Sequence, residues 1–189
     1  MRPGEQLIGV LRRKMDRAEA EEELRKAGME LGLSESGYLS QVCAAYLLLK
    51  LNFQVDEVSR ALSWQDFERL AGALFRASGY QVKENLVLTR PRAQIDVVAS
   101  GFSTVLCVDC KHYLREPGPS WLQRIAEAQL KRSGLLRRKT SDSRPIASVI
   151  LSLSEPEGKF VGGVAIVPIR ALRDFLASLE SYTGLLELK

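Results

Sequence analysis

Residues 94–112, QIDVVASGFSTVLCVDCKH, decide the fold of this chain. Two apolar runs are joined by a short turn, which predicts an antiparallel hairpin. Because side chains alternate faces along a strand, Asp109 and Lys111 point the same way and Cys110 points the opposite way. Asp96, on the first run, is expected to converge with them. Two carboxylates beside an ammonium favour a site for a divalent metal and a water molecule.

The bulk composition is that of an ordinary globular protein, with 189 residues, 46% of them hydrophobic and 26% charged. That length suffices for one domain and an appendage. No apolar run reaches the roughly 18 residues of a membrane span. Residues 1–14 lack the apolar stretch and cleavage site of a signal peptide. We therefore expect a cytoplasmic protein.

The three cysteines, Cys43, Cys107 and Cys110, are too few and odd in number for a disulfide framework. Cys107 and Cys110 have the spacing of half a zinc or redox site. Residues three apart on a strand face opposite sides, however, so the pair cannot chelate one ion. With His112 as the single histidine, we interpret the cysteines as small apolar core residues.

Positive charge is concentrated after the Asp-x-Lys sequence. The whole chain has a formal net charge of +4, whereas residues 112–144 hold eight basic and three acidic residues, a surplus of five. A solvated helix face has the same composition, but the position beside the candidate site favours nucleic acid. The predicted nucleic-acid contacts are Arg90, Arg92, Arg124, Lys131, Arg132, Arg137, Arg138 and Lys139.

Hydrophobic periodicity and turn residues predict an alternation of helices and strands. Helices are expected over residues 5–31, 34–49, 56–62, 63–78 and 120–136, and from 168 onwards. Strands are expected over residues 80–88, 93–100, 104–113, 146–153 and 161–167. The order αβββαβ predicts an α/β fold, a mixed sheet flanked by helices over residues 62–189, after a helical extension over residues 1–61.

The helical extension has three possible roles. Gly28 and Gly32 near a turn weakly match a helix-turn-helix, but its second helix, residues 36–47, carries no Arg or Lys. Packing onto the second domain and formation of a homodimer are the alternatives.

Four segments resemble the PD-(D/E)xK nuclease superfamily, most closely its Mrr-like and archaeal Holliday junction resolvase-like branches. They are Glu68, residues 75–82 (FRASGYQV), residues 95–99 (IDVVA) and residues 109–111 (DCK). The resemblance covers about residues 62–182 and implies a restriction-endonuclease-like fold with the αβββαβ core. Two positions depart from the usual pattern: Ile95 stands in place of Pro, and Asp109 in place of Glu.

The resemblance also implies cleavage of DNA with Mg²⁺, for which Mn²⁺ is a possible substitute. Asp96 and Asp109 would bind the metal, and by the family pattern the backbone carbonyl of Cys110 would add a ligand. Lys111 would orient the water and offset charge on the phosphate. Glu68 borders the buried stripe of its helix and would assist with the metal, unless it merely complements the helix dipole.

Two further polar residues lie near this constellation. In related nucleases a glutamine or lysine on the following helix reaches toward the site, which makes Gln129 a catalytic candidate; the alternative is an ordinary surface residue. His112 faces away from Asp109 by strand parity, so we expect a structural or phosphate-contact role.

The leading hypothesis is a metal-dependent DNA endonuclease that acts on modified, branched or repair-intermediate DNA, such as nicks and flaps. The alternative is a non-catalytic DNA-binding or scaffold protein with a nuclease fold; an RNA nuclease is a third. Many enzymes of this fold are dimers, so a homodimer on the nucleoid is expected.

Overall fold

The computed structural model describes residues 6–34, 37, 40–112, 118–153 and 159–189. In these parts the chain forms a mixed sheet with helices on both faces, which confirms the predicted α/β class. The helices are α1 (Gln6–Leu11), α2 (Arg17–Glu30), α3 (Gln41–Lys50), α4 (Val55–Ala61), α5 (Trp64–Ala77), α6 (Pro119–Lys139) and α7 (Leu172–Ala177). The strands are β1 (Gln81–Leu88), β2 (Ala93–Ser100), β3 (Val105–Lys111), β4 (Ile146–Ser152), β5 (Lys159–Val161) and β6 (Val164–Pro168).

The described strands lie in the order β1-β2-β3-β4-β6-β5. The first three are antiparallel, β3, β4 and β6 are parallel, and β5 returns antiparallel to β6. Strand β4 is buried along its whole length because helices cover both faces of the sheet. In the β2–β3 hairpin Val97 pairs with Val108, so the next positions along the register are Asp96 and Asp109.

Alternating side chains divide the core between the two faces of the sheet. Val97 and Val108 pack with the N-terminal helices and α5. Val98 and Cys107 pack on the other face, against α6. Cys110 packs on the first face, so the two cysteines do lie on opposite sides of β3, and burial raises the pKa of Cys107 to about 11.

Helix α5 begins and ends where its terminal residues predict. Ser63 is the N-cap, and its Oγ accepts a hydrogen bond of 3.1 Å from the Asp66 backbone N–H. Gly79 follows the C-cap with a φ of +86°, a conformation that glycine adopts without strain. These two ends fix the register of the helix that carries Glu68.

The predicted helix over residues 5–31 is in fact two helices. Asp16 is the N-cap of α2, and its side chain accepts a hydrogen bond of 2.9 Å from the Glu19 backbone N–H. Helix α1 ends at Leu11 and this cap begins α2, although the apolar spacing runs through both helices.

Helix α3, which was predicted to begin at residue 34, begins at Gln41 after the N-cap Ser40. Nearly all of α3 is buried, which leaves no face to enter a DNA groove as a recognition helix. Residues 35, 36, 38 and 39 of the predicted helix over 34–49 lie outside the described residues. So do the predicted strand end Tyr113 and two charged residues of the 112–144 segment, Arg115 and Glu116.

The C-terminal third differs from prediction in three places. The strand predicted over residues 161–167 is a hairpin, because Gly162 and Gly163 adopt φ of +54° and +81° and turn β5 back onto β6. The final helix is short and is flanked by 3-10 turns over Ile169–Ala171 and Leu179–Leu185. Helix α6 extends to Lys139, three residues further than predicted.

Candidate active site

The end of β3 carries the first two residues of the site. Asp109 and Lys111 point to the same face, and the Lys111 Nζ lies 2.6 Å from Asp109 Oδ2. The Asp109 side chain is only 6% exposed, whereas Lys111 is 25% exposed. Lys111 therefore stands at the mouth of the site, with the carboxylate behind it.

The start of β2 brings Asp96 to the same place. The backbone N–H of Cys110 donates a hydrogen bond of 2.7 Å to Asp96 Oδ2. Burial raises the pKa of Asp96 above its usual range, partly opposed by this hydrogen bond, and the Asp109 charge raises it further. The two carboxylates are thus electrostatically coupled across the hairpin.

Helix α5 supplies Glu68 from the other side of the sheet edge. The residue is 8% exposed, which fits the predicted border of the buried stripe. Burial raises its pKa to about 7, and the negative charges of Asp96 and Asp109 add to the rise. The fold therefore brings Glu68, Asp96, Asp109 and Lys111 within electrostatic reach of one another.

Asp109 has a second cationic partner on helix α6. The Arg132 Nη1 lies 3.3 Å from Asp109 Oδ1, and the guanidinium side chain is 30% exposed. The same Nη1 donates a hydrogen bond of 3.2 Å to Gln129 Oε1. Arg132 was predicted as a nucleic-acid contact, and its pairing with the central carboxylate was not foreseen.

Gln129 is fully buried, so the alternative of a surface polar residue is wrong. Its Nε2 donates hydrogen bonds to the Cys107 carbonyl at 2.7 Å and to the Val149 carbonyl at 3.3 Å. The amide thus bridges β3 and β4. Gln129 contacts Arg132, which in turn pairs with Asp109.

The acidic residues fit a divalent cation. Asp109 Oδ2 is buried and, among the described residues, accepts no hydrogen bond of acceptable geometry, although the Lys111 ammonium is near. No three His, Cys, Asp or Glu side chains in the described ranges form a preassembled ligand cluster. Mg²⁺ needs few protein ligands, since one or two carboxylates and several waters complete its shell.

Comparison with known proteins addresses the same segment. Residues 59–136 match the family model of the Mrr catalytic domain, described as a restriction endonuclease. Residues 59–136 therefore form a domain of the Mrr-like branch of the PD-(D/E)xK nucleases. An uncharacterised protein of Archaeoglobus fulgidus is 32% identical over 124 residues, which span 64% of this chain and 95% of that protein. No solved structure gives a significant match.

The matched segment of this Mrr-like chain contains Glu68, Asp96, Asp109, Lys111 and Gln129. It begins within α4 and ends within α6. The family match therefore confirms the resemblance and the restriction-endonuclease-like fold. The roles of the individual residues stay predictions.

The basic residues of the Mrr-like chain occupy two surfaces. Arg90 and Arg92 are exposed in the β1–β2 turn, at the same sheet edge as the acidic residues. They precede Asp96 in the sequence by six and four residues, respectively. Arg124, Lys131, Arg138 and Lys139 are exposed on α6, and Arg137 donates a hydrogen bond of 2.7 Å to the Arg144 carbonyl.

Sequence reasoning missed Glu84 on β1. Its Oε1 lies 2.6 Å from Arg76 Nη2, and its charge raises the pKa of Glu68. A Cβ at Gly72 would clash with Glu84 Oε1, so a glycine one turn after Glu68 gives this carboxylate its place against α5. The sequence signal for this missed contact was Gly72, a glycine in a helix whose other buried residues are larger.

The contacts of His112 fit the predicted structural role. A ring nitrogen, Nε2, lies 2.8 Å from the Ser59 carbonyl, and the ring contacts Phe67 with centroids 6.3 Å apart. The residue after Lys111 is thereby tied to α4 and α5.

None of the described helices is long and apolar enough to cross a membrane.

Proposed function

We propose that this Mrr-like chain is a metal-dependent endonuclease that hydrolyses phosphodiester bonds in DNA. The observation that carries the proposal is Asp109, a buried carboxylate between two cationic side chains with one oxygen that accepts no hydrogen bond from the described residues. A scaffold protein has no chemical need for such a group beside a second, partly buried aspartate and a lysine.

Mg²⁺, or Mn²⁺ in its place, would supply Lewis acidity and would lower the pKa of the attacking water. We assign its binding to the carboxylates of Asp96 and Asp109 and to the Cys110 carbonyl, with Glu68 at the side. Glu68 has a pKa of about 7 in the metal-free protein, so near neutral pH it carries a proton about half of the time. It is suited to exchange a proton with water in the site.

Lys111 has the position of the group that meets the phosphate. Its ammonium is partly exposed at the mouth of the site and within ion-pair distance of Asp109. A fixed positive charge there offsets the negative charge that develops on the phosphorane oxygens. It also orients a water molecule through its N–H donors.

The exposed basic side chains on α6 would contact the phosphates of the DNA backbone. Arg124, Lys131 and Arg138 are spaced by seven residues, two helical turns, so they form one stripe on the exposed side of the helix. The stripe is roughly 21 Å long at a rise of 1.5 Å per residue. Contacts of this kind position DNA without reading its sequence.

We further propose modified, branched or repair-intermediate DNA as the substrate and a homodimer as the working form. One described site per chain cuts one strand at a time, so double-strand cleavage calls for two copies. We place the enzyme in the cytoplasm, on the nucleoid.

A panel of labelled DNA tests this proposal. Linear, nicked, flapped, four-way-junction and methylated substrates are incubated with Mg²⁺ or Mn²⁺ and with wild type, Lys111→Met or Lys26→Met. Lys26 lies on the surface of α2, so its replacement controls for loss of a positive charge. Cleavage by wild type and Lys26→Met, but not by Lys111→Met, supports the proposal and names the substrate. Salt-sensitive binding without cleavage of any substrate would favour the scaffold alternative.

A further inference from the structure

Asp109 is enclosed by cations from two different elements. Lys111 comes from its own strand and faces Oδ2 at 2.6 Å, while Arg132 comes from α6 and faces Oδ1 at 3.3 Å. Both oxygens of the carboxylate therefore face a positive charge. A divalent cation at Asp109 would compete with these two side chains for the carboxylate.

Arg132 is held in this position by a rigid support. Gln129 Oε1 accepts the Arg132 hydrogen bond, and Gln129 Nε2 is fixed to the carbonyls of two neighbouring strands. Ser133 stabilises the same helical turn. Its hydroxyl donates a hydrogen bond of 3.1 Å to the Gln129 carbonyl and lies 2.5 Å from Ser148 Oγ. These supporting groups are buried, so the guanidinium is aimed by the interior of the protein.

Arg132 also adjoins the DNA-facing stripe. Lys131 precedes it in sequence and is exposed, whereas Arg132 is only partly so. A guanidinium released from Asp109 would need only a side-chain rotation to reach an anion at the mouth of the site. A phosphate diester is such an anion, and the planar guanidinium binds it well.

We propose that Arg132 is the internal counter-ion of Asp109, which competes with the divalent cation for this carboxylate and moves to the DNA phosphate when the cation binds. The inference rests on the proposed function. It adds a positioning residue with two alternating partners, the Asp109 carboxylate and the DNA phosphate.

The test is metal binding to the metal-free protein, measured by titration calorimetry with Mn²⁺ and without DNA. Arg132→Met removes the guanidinium and keeps most of the apolar stem. Lys131→Met is the matched control, because it removes one positive charge from the same helix turn without a contact to Asp109 recorded in the structure. Arg132→Lys keeps the charge, and thermal unfolding of each variant checks that it folds.

We expect Arg132→Met to bind Mn²⁺ about five- to twentyfold more tightly than wild type, since the lost pair is partly buried, and Lys131→Met to change affinity by less than about twofold. In cleavage assays Arg132→Met should need less Mn²⁺ for half-maximal rate, yet its maximal rate should fall about tenfold or more. Arg132→Lys should lie between wild type and Arg132→Met in both measurements.

Weaker binding by Arg132→Met would overturn the inference, because it would show that Arg132 prepares Asp109 for the metal. Equal tightening by the two methionine variants would also overturn it, since the effect would then be general charge. Asp109→Asn distinguishes failure of the proposed metal site from failure of the proposed competition by Arg132. If Asp109→Asn binds Mn²⁺ as wild type does, the proposed metal site itself is wrong; if only Arg132→Met fails to tighten binding, the competition alone is wrong.

Discussion

Cys110 donates its backbone N–H to Asp96 Oδ2 at 2.7 Å, and this bond ties the start of β2 to the end of β3. It holds Asp96 beside the strand that presents Asp109 and Lys111. The backbone of β3, the strand that carries Asp109, therefore sets the position of the Asp96 carboxylate.

Replacements of Asp96 should separate this structural bond from metal binding. Asp96→Asn retains an acceptor for the Cys110 N–H, so we expect stability within about 1 kcal/mol of wild type. Asp96→Ala leaves that donor without its partner and should cost about 1–2 kcal/mol more. Both should lose Mn²⁺ binding. Urea unfolding in a chelator and calorimetry measure the two effects, and equal stability of the two variants would contradict the structural role.

Glu68 should make stability depend on pH in the metal-free protein. Its pKa is about 7 when folded and near 4.5 when unfolded, so the folded state binds the proton more tightly. The stability that this group provides is present below about pH 4.5 and is lost as the pH rises through 7. Glu68→Gln should therefore gain about 1–3 kcal/mol relative to wild type between pH 5 and pH 8.

The control for Glu68 is Glu127→Gln, at an exposed position on α6. Its stability difference from wild type should stay the same at both pH values. Chemical unfolding at pH 5 and pH 8 measures each difference. A Glu68→Gln difference that does not change with pH would show that Glu68 has an ordinary pKa.

Gln129 should contribute strongly to stability because it is buried and bonded to two strands. Gln129→Leu leaves the Cys107 and Val149 carbonyls without this donor, and we expect a loss of about 2–3 kcal/mol. Gln123 is an exposed glutamine on the same helix, and Gln123→Leu should change stability by less than about 0.5 kcal/mol. Similar losses for both variants in urea unfolding would remove the structural argument for Gln129.

The basic stripe on α6 should determine the salt dependence of DNA binding. Replacement of Arg124, Lys131 or Arg138 by Met should each lower the slope of log affinity against log salt by about 1. Affinity should fall by a similar factor for every DNA sequence, because phosphates carry no base identity. Fluorescence anisotropy at several salt concentrations measures the slope. Slopes equal to that of wild type, and to that of Lys26→Met, would place the DNA elsewhere.

The strand pairing near the site could be predicted from the sequence because it depends on local parity. Asp109 and Lys111 share a face whatever the rest of the fold does, and the short turn before β3 brings Asp96 alongside. The cap at Ser63 and the glycine at Gly79 likewise fixed the helix that carries Glu68.

The partners of these residues across the fold could not be predicted in the same way. Arg132 and Gln129 meet Asp109 and the strand carbonyls only because α6 packs on the face that holds Cys107. Gly72 leaves room for Glu84 beside α5, where the charge of Glu84 raises the pKa of Glu68. Such contacts depend on helix rotation and depth of packing, which periodicity alone does not give. The split of the first helix at Asp16 was missed because apolar spacing continued across a cap.

The most direct test of the central claim is DNA cleavage by Asp109→Asn in Mg²⁺, beside wild type and Asp142→Asn. Asp142 is a part-buried aspartate in the loop after α6 that pairs with Arg144, so its replacement removes a carboxylate away from β3. We predict that wild type and Asp142→Asn cut the preferred substrate, and that Asp109→Asn, although folded, cuts it at least about a thousandfold more slowly. Cleavage by Asp109→Asn at the wild-type rate would contradict the account.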